Sequence, residues 1–159
     1  MRFLILICDF LCCQTWRYWA NIFLSIIVGF TCFLRQFDRL EPADFLEVLG
    51  ILLGFTISLL AILISCDNDN IRRSKAYQPD PQKPTLYMRV ITDVSYTIMV
   101  QIAGLLLVLL LTDHLACECR YKVFVATIVG MIAHVFFMMV HIVMDMYLIV
   151  TARRDEPVL

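Results

Sequence analysis

The residues of this chain that could do chemistry sit where chemistry is expensive, inside long apolar stretches. Between Val123 and Val150, among Val, Ile, Phe, Met and Leu, the residues Thr127, Met131, His134, Met138, His141 and Asp145 recur at steps of three and four. That spacing puts them on one face of a helix. A second run, Asp93, Thr97, Gln101 and Gly104, does the same within Val90–Thr112. Ionisable groups inside a membrane span are costly and normally face protein or a water-filled path. Asp93, Gln101, His134, His141 and Asp145 are therefore the candidate pore or gating residues. A hydrated conduction path or a protonation switch would use them. Structural hydrogen bonding between the two stripes would use them equally well.

Other chemistries fit less well. His134 and His141 lie about 10.5 Å apart along a straight helix, so one metal ion cannot take both. His141 and Asp145 could share a metal or simply hydrogen-bond. Asp113-His114-x-x-Cys117-x-Cys119 looks like a zinc motif, but Cys-x-Cys in a short turn suits structural zinc poorly. Neither a metal site nor a cofactor is expected. No phosphate loop, HEXXH helix or Ser/His/Asp set is recognisable, so the chain does not read as an enzyme.

Three further sets carry meaning through repetition in an assembly. Gly50, Gly54, Ser58 and Ala61 form a small-residue face on one span, built on Gly50-Ile-Leu-Leu-Gly54. Such a face lets helix backbones approach closely. It could pack within one chain, contact neighbouring subunits or line a narrow pore. Asn21, Ser25, Gly29 and Cys32 make a weaker version on the preceding span. Asp44 and Glu47, with Asp38 and Glu41, would ring an outer vestibule in a symmetric oligomer and attract cations. In a single chain they are an ordinary helix start, where the dipole favours acids. Arg72, Arg73 and Lys75, with Lys83 and Arg89, could flank anionic lipid. Multiplied around an oligomer they would bind a polyanion such as an oligonucleotide or a cyclic nucleotide. No sequence-specific nucleic-acid readout motif accompanies them.

The elements that must position these groups follow from composition. Hydrophobic residues make up 61% of 159 positions, and the mean hydropathy is +0.81. Such a chain is an integral membrane protein of the all-α class. Four stretches can span a bilayer: Trp16–Leu34, Ala43–Cys66, Val90–Thr112 and Val123–Val150. The last is about 42 Å long as a helix, against about 30 Å of hydrocarbon, and spans with tilt. Residues 1–15 read as a retained amphipathic segment, since Asp9 interrupts the apolar run early and no small-x-small cleavage site follows. Residues 16–66 form a first transmembrane hairpin and 90–151 a second. A linker, 67–89, joins them, opening with turn residues Asp67-Asn68-Asp69-Asn70 and continuing through Pro79, Pro81 and Pro84. Residues 152–159 are a tail.

With the N-terminus inside, nine basic residues fall on internal segments and four on external loops. This bias places the linker and both termini in the cytoplasm of a multi-pass cell-membrane protein. The seven cysteines show no clean framework. A bridge from Cys32 to Cys117 or Cys119, all near the outer face, stays open. Equal helical rises set Asp93 level with Asp145, Thr97 with His141 and Gln101 with Met138.

The segment Phe45-Leu46-Glu47-Val48-Leu49-Gly50-Ile51-Leu52-Leu53-Gly54-Phe55-Thr56-Ile57-Ser58-Leu59-Leu60-Ala61-Ile62-Leu63 resembles the second span of small multi-span effectors of bacterial antiphage systems, including Hailong-type channel effectors. The likeness covers this span and the overall layout. It implies an oligomeric channel, kept closed by a nucleotide-derived ligand and opened during infection. The expected protein is thus a four-helix bundle of two antiparallel hairpins that assembles into an ion-conducting homo-oligomer in the lipid bilayer. The runner-up is a non-conducting anchor or assembly subunit of a larger complex. A holin-like lysis protein is third.

Overall fold

The computed structural model describes residues 16–35, 41–65, 85–111 and 118–151. They are all-helical: α1 Trp16–Arg35, α2 Pro42–Ser65, α3 Leu86–Leu111 and α4 Glu118–Thr151. All four are long and apolar enough to cross a membrane. The boundaries fall within two residues of the expected spans, except that α3 starts four residues earlier and α4 five. At 34 residues α4 is about 51 Å long, so it tilts in a bilayer or protrudes from it.

The start of α2 is built as its sequence predicts. Pro42 takes the first helical turn, where its missing N–H costs nothing. The Glu41 amide donates to the Asp44 carboxylate at 3.0 Å, and the Asp44 amide donates back to the Glu41 carbonyl at 3.0 Å. This reciprocal pair satisfies helix-end groups that would otherwise need water.

Antiparallel pairs make up the bundle, but they are not the consecutive ones throughout. α1 packs on α4, α4 on α3, and α3 on α2. α1 and α2 are joined by a short connection yet are not major packing partners. The expected first hairpin is therefore a connection in sequence, with each of its helices pressed against the second pair. We call the end holding the start of α1 and the end of α4 basal, and the opposite end apical.

Small residues decide which helices meet. A Cβ at Gly29 would lie 2.7 Å from the Ala126 carbonyl oxygen, and one at Gly130 would lie 3.3 Å from the Ser25 carbonyl oxygen. Only glycine lets the backbones of α1 and α4 come this close. Close van der Waals packing is what holds helices together when lipid removes the hydrophobic drive between them. By contrast, a Cβ at Gly50 or Gly54 meets nothing within 4 Å among the described residues, and Ser58 and Ala61 are exposed. Among the described residues this motif makes no tight packing, and the close seam uses Ser25 and Gly29 on α1 instead.

Surface and interior are inverted relative to a water-soluble bundle. Phe23, Ile26, Phe30, Leu34, Ile51 and Leu110 are outward and exposed, while Asp93, Thr97, Gln101 and Asp145 are buried. Large apolar side chains facing out and carboxylates facing in are unfavourable in water and natural in lipid. This pattern points to a membrane-embedded protein. The apical interior is apolar, formed by Cys32, Phe45, Leu49, Val108, Phe124, Val125 and Ile128. Phe45 and Phe124 meet edge to face there, with ring centroids 6.5 Å apart. Cys32 is a buried free thiol in this cluster. The basal interior is divided. Leu63, Tyr87, Val90, Val94, Ile142 and Ile149 fill it on the α2 side, and polar groups fill it on the α1 side.

Candidate functional site

The polar half of the basal interior is assembled from three helices. Tyr18 from α1 donates to the Asp93 carboxylate of α3 at 2.5 Å. Arg89, one turn below Asp93 on α3, reaches the Asp145 carboxylate of α4 at 3.8 Å. The guanidinium also interacts with Tyr18 and Asp93. Both side chains are 3% exposed, so two carboxyl groups lie in the interior beside one guanidinium and a phenol. A buried carboxylate is tolerable only with such partners.

Above this cluster the polar contacts continue toward mid-bundle. The His141 Nε2 meets the Asn21 side-chain oxygen at 3.2 Å. The Asn21 amide leans on the Met138 sulfur at 3.9 Å. The Thr97 hydroxyl donates to the Asp93 carbonyl at 2.7 Å, which spends its proton within its own helix. Gln101 is fully buried, and its amide donates to the Thr56 hydroxyl of α2 at 3.0 Å. Thr56 in turn donates to the Leu52 carbonyl at 2.7 Å. The Gln101 side-chain oxygen has no hydrogen-bond partner among the described residues. Tyr96 and His134 form a separate pair, hydroxyl to Nε2, at 3.2 Å.

The predicted stripes thus turn largely inward. Asp93, Thr97, Gln101, His134, Met138 and Asp145 are buried, His141 and Met131 half-buried, and Thr127 exposed. Two features add to expectation. The first is what the carboxylates meet. Arg89 reaches Asp145, Tyr18 from α1 donates to Asp93, and Tyr96 meets His134. The second is Arg89, grouped from the sequence with the linker's basic residues. It faces the bundle interior.

Several partners were not singled out as site residues. Tyr18 carried no signal of its own in the sequence, and Thr56 was one residue within an apolar span. Tyr96 had a usable signal, lying three residues after Asp93 and thus on the same helical side. Asn21 had one too, as the sole amide in its span.

Asp44 and Glu47 are exposed at the apical start of α2, and Asp44 serves there as a helix cap. Arg72, Arg73 and Lys75 lie outside the described residues. Among the described residues, no group of His, Cys, Asp and Glu side chains could hold a metal ion. The arrangement places hydrogen-bonding side chains in the interior from the basal end to mid-bundle, beneath an apolar apical half. No protein-family model, curated protein or solved structure matches the chain.

Proposed function

We propose that the chain is the subunit of a homo-oligomeric ion channel in the cell membrane, with its basal end in the cytoplasm. The observation that carries this reading is the buried cluster of Tyr18, Arg89, Asp93 and Asp145. Charged groups deep in apolar helices mark ion or proton pathways, or the switches that control them. His141, beside Asn21 in the same polar half, extends the pathway toward mid-bundle. The exposed Gly50–Ala61 face of α2 is left for neighbouring subunits or for the shared pore. The likeness of α2 to antiphage effectors adds a context. In it, Arg72, Arg73 and Lys75 of each subunit bind a nucleotide-derived regulator, and the open channel is toxic to an infected cell.

The apolar apical half supports a second reading. A bundle sealed by Cys32, Phe45, Leu49 and Phe124 at one end suits a non-conducting anchor whose polar cluster is structural. Planar-bilayer recording separates the two. The channel reading expects current from the purified protein, with Asp145→Asn and His141→Ala each altering conductance or gating while membrane insertion is kept. Silent membranes at all protein densities would leave the anchor.

A further inference from the structure

A groove of about 650 Å³ runs along the outside of the bundle, with walls from α1 and α3 and a floor from α4. It exists because α1 and α3 both pack on α4 without packing on each other along this length. Its floor is low because Ala126 and Gly130 carry almost no side chain there. Ile26, Phe30 and Phe33 line one wall and Val100 the other. No Asp, Glu, Lys or Arg is among the described residues that line it. The volume is typical of a small-molecule site.

The groove also holds a polar anchor. His134, near the middle of α4, lines it together with Tyr96. The Tyr96 hydroxyl engages Nε2 of the ring, and the two rings meet edge to face at 5.8 Å. An imidazole has a second nitrogen that also needs a partner. Nδ1 of His134 has no hydrogen-bond partner among the described residues, and it is not one of the fully enclosed orphan atoms. Its residue borders the groove. At the middle of a span no water is at hand to satisfy it, and a phospholipid tail has no hydrogen-bonding atom at that depth.

We propose that this groove binds an uncharged amphiphile dissolved in the bilayer core, with an apolar body along Phe30 and Phe33 and a hydroxyl or carbonyl oxygen on His134 Nδ1. Absence of charge follows from the uncharged lining and the mid-span depth. The oxygen follows from the nitrogen it must meet. If Tyr96 donates to Nε2, Nδ1 carries the ring proton and takes either oxygen type. In the opposite tautomer only a hydroxyl serves. The site is independent of whether the protein conducts.

The test uses the full-length protein in nanodiscs and a diazirine-bearing dodecanol, with labelled residues mapped by mass spectrometry. Competition then compares dodecanol, 2-dodecanone and dodecane. Labelling is expected on the α1 and α3 walls, with an oxygenated competitor about tenfold more effective than dodecane, the effect of one hydrogen bond. Dodecanol and dodecanone competing alike assigns the proton to Nδ1, and dodecanol alone assigns it to Nε2. His134→Phe should bring all three competitors to equal strength while labelling persists. Thr127→Trp, at an exposed position that lines the groove, should fill it and abolish labelling without loss of fold. Equal competition in the wild type overturns the proposal, as does label outside the groove. So does selectivity that survives His134→Phe, or a crosslink to a second copy in place of the probe.

Discussion

The buried carboxylates make the sharpest demands at the level of single residues. Tyr18 donates to Asp93 from a helix 75 residues away in sequence. Tyr18→Phe keeps the ring and removes that donor, leaving a buried acceptor short of a partner. A loss of about 1.5–3 kcal/mol follows for a bond to a charged group, measurable as a lowered unfolding midpoint in detergent. Asp145 and Arg89 allow a stricter test. Removing one partner of a buried pair strands a charge, whereas replacing both with apolar residues does not. Arg89→Leu should therefore destabilise the bundle more than the double variant Arg89→Leu with Asp145→Leu, and a double-mutant cycle reads the difference. The stripe on α4 was legible because His and Asp are conspicuous among Val, Phe and Met. What Asp93 bonds to was not. Helical spacing assigns a residue to a face, but the phenol of Tyr18 arrives from a different helix, and nothing in its own neighbourhood marks it.

At the level of helices, two glycine pairs of similar appearance behave oppositely. Gly29 and Gly130 let backbones touch, while Gly50 and Gly54 meet nothing among the described residues. Gly29→Leu should break the α1–α4 seam and lower the thermal midpoint of the protomer itself. Gly54→Leu should leave that midpoint unchanged and, if α2 is the subunit contact, convert oligomer to monomer in size-exclusion light scattering. An unchanged oligomer would move the contact elsewhere. The G-x-x-x-G pattern is legible as a small face, but sequence does not say against what. The helices themselves were legible to within about one turn or a little more, because the length of an apolar run sets them and polar first turns such as that of α4 extend beyond it. Their neighbours were not. The short connection between α1 and α2 suggested that those two pack together, whereas α1 found a closer fit on α4 through Gly29, Ala126 and Gly130.

At the level of the whole molecule, the polar interior is asymmetric from end to end, and so is the expected response to perturbation. If the protein conducts, loss of charge at the basal cluster should alter current or its pH dependence, whereas opening a cavity in the apical cluster with Leu49→Ala should chiefly cost stability, about 2–5 kcal/mol for a buried leucine. Recordings and melting curves on the same variants separate the two effects. If a polyanion regulates the assembly, neutralising Arg72, Arg73 and Lys75 together should weaken oligonucleotide binding. It should also flatten the salt dependence by roughly two in log–log slope, for about three lost phosphate contacts per site. Absence of binding by the wild-type protein would leave those residues to the lipid surface.

The pairing of α1 with α4 also imposes an order in time. α1 leaves the ribosome well before α4 does, yet Asn21 bonds His141, 120 residues later, and Gly29 waits for Ala126. Until the last span enters the membrane, the amide of Asn21 has neither of its α4 partners, His141 or Met138, and α1 lacks its main surface of contact. Biogenesis should thus pass through a stage in which α2 and α3 have paired while α1 is still loosely held, a natural client for an insertase or a target for intramembrane proteolysis. A chain truncated after Leu111 would arrest there. In pulse-labelled cells its α1 should be cleared or crosslinked to the insertion machinery, and supplying α4 as a separate polypeptide should rescue it.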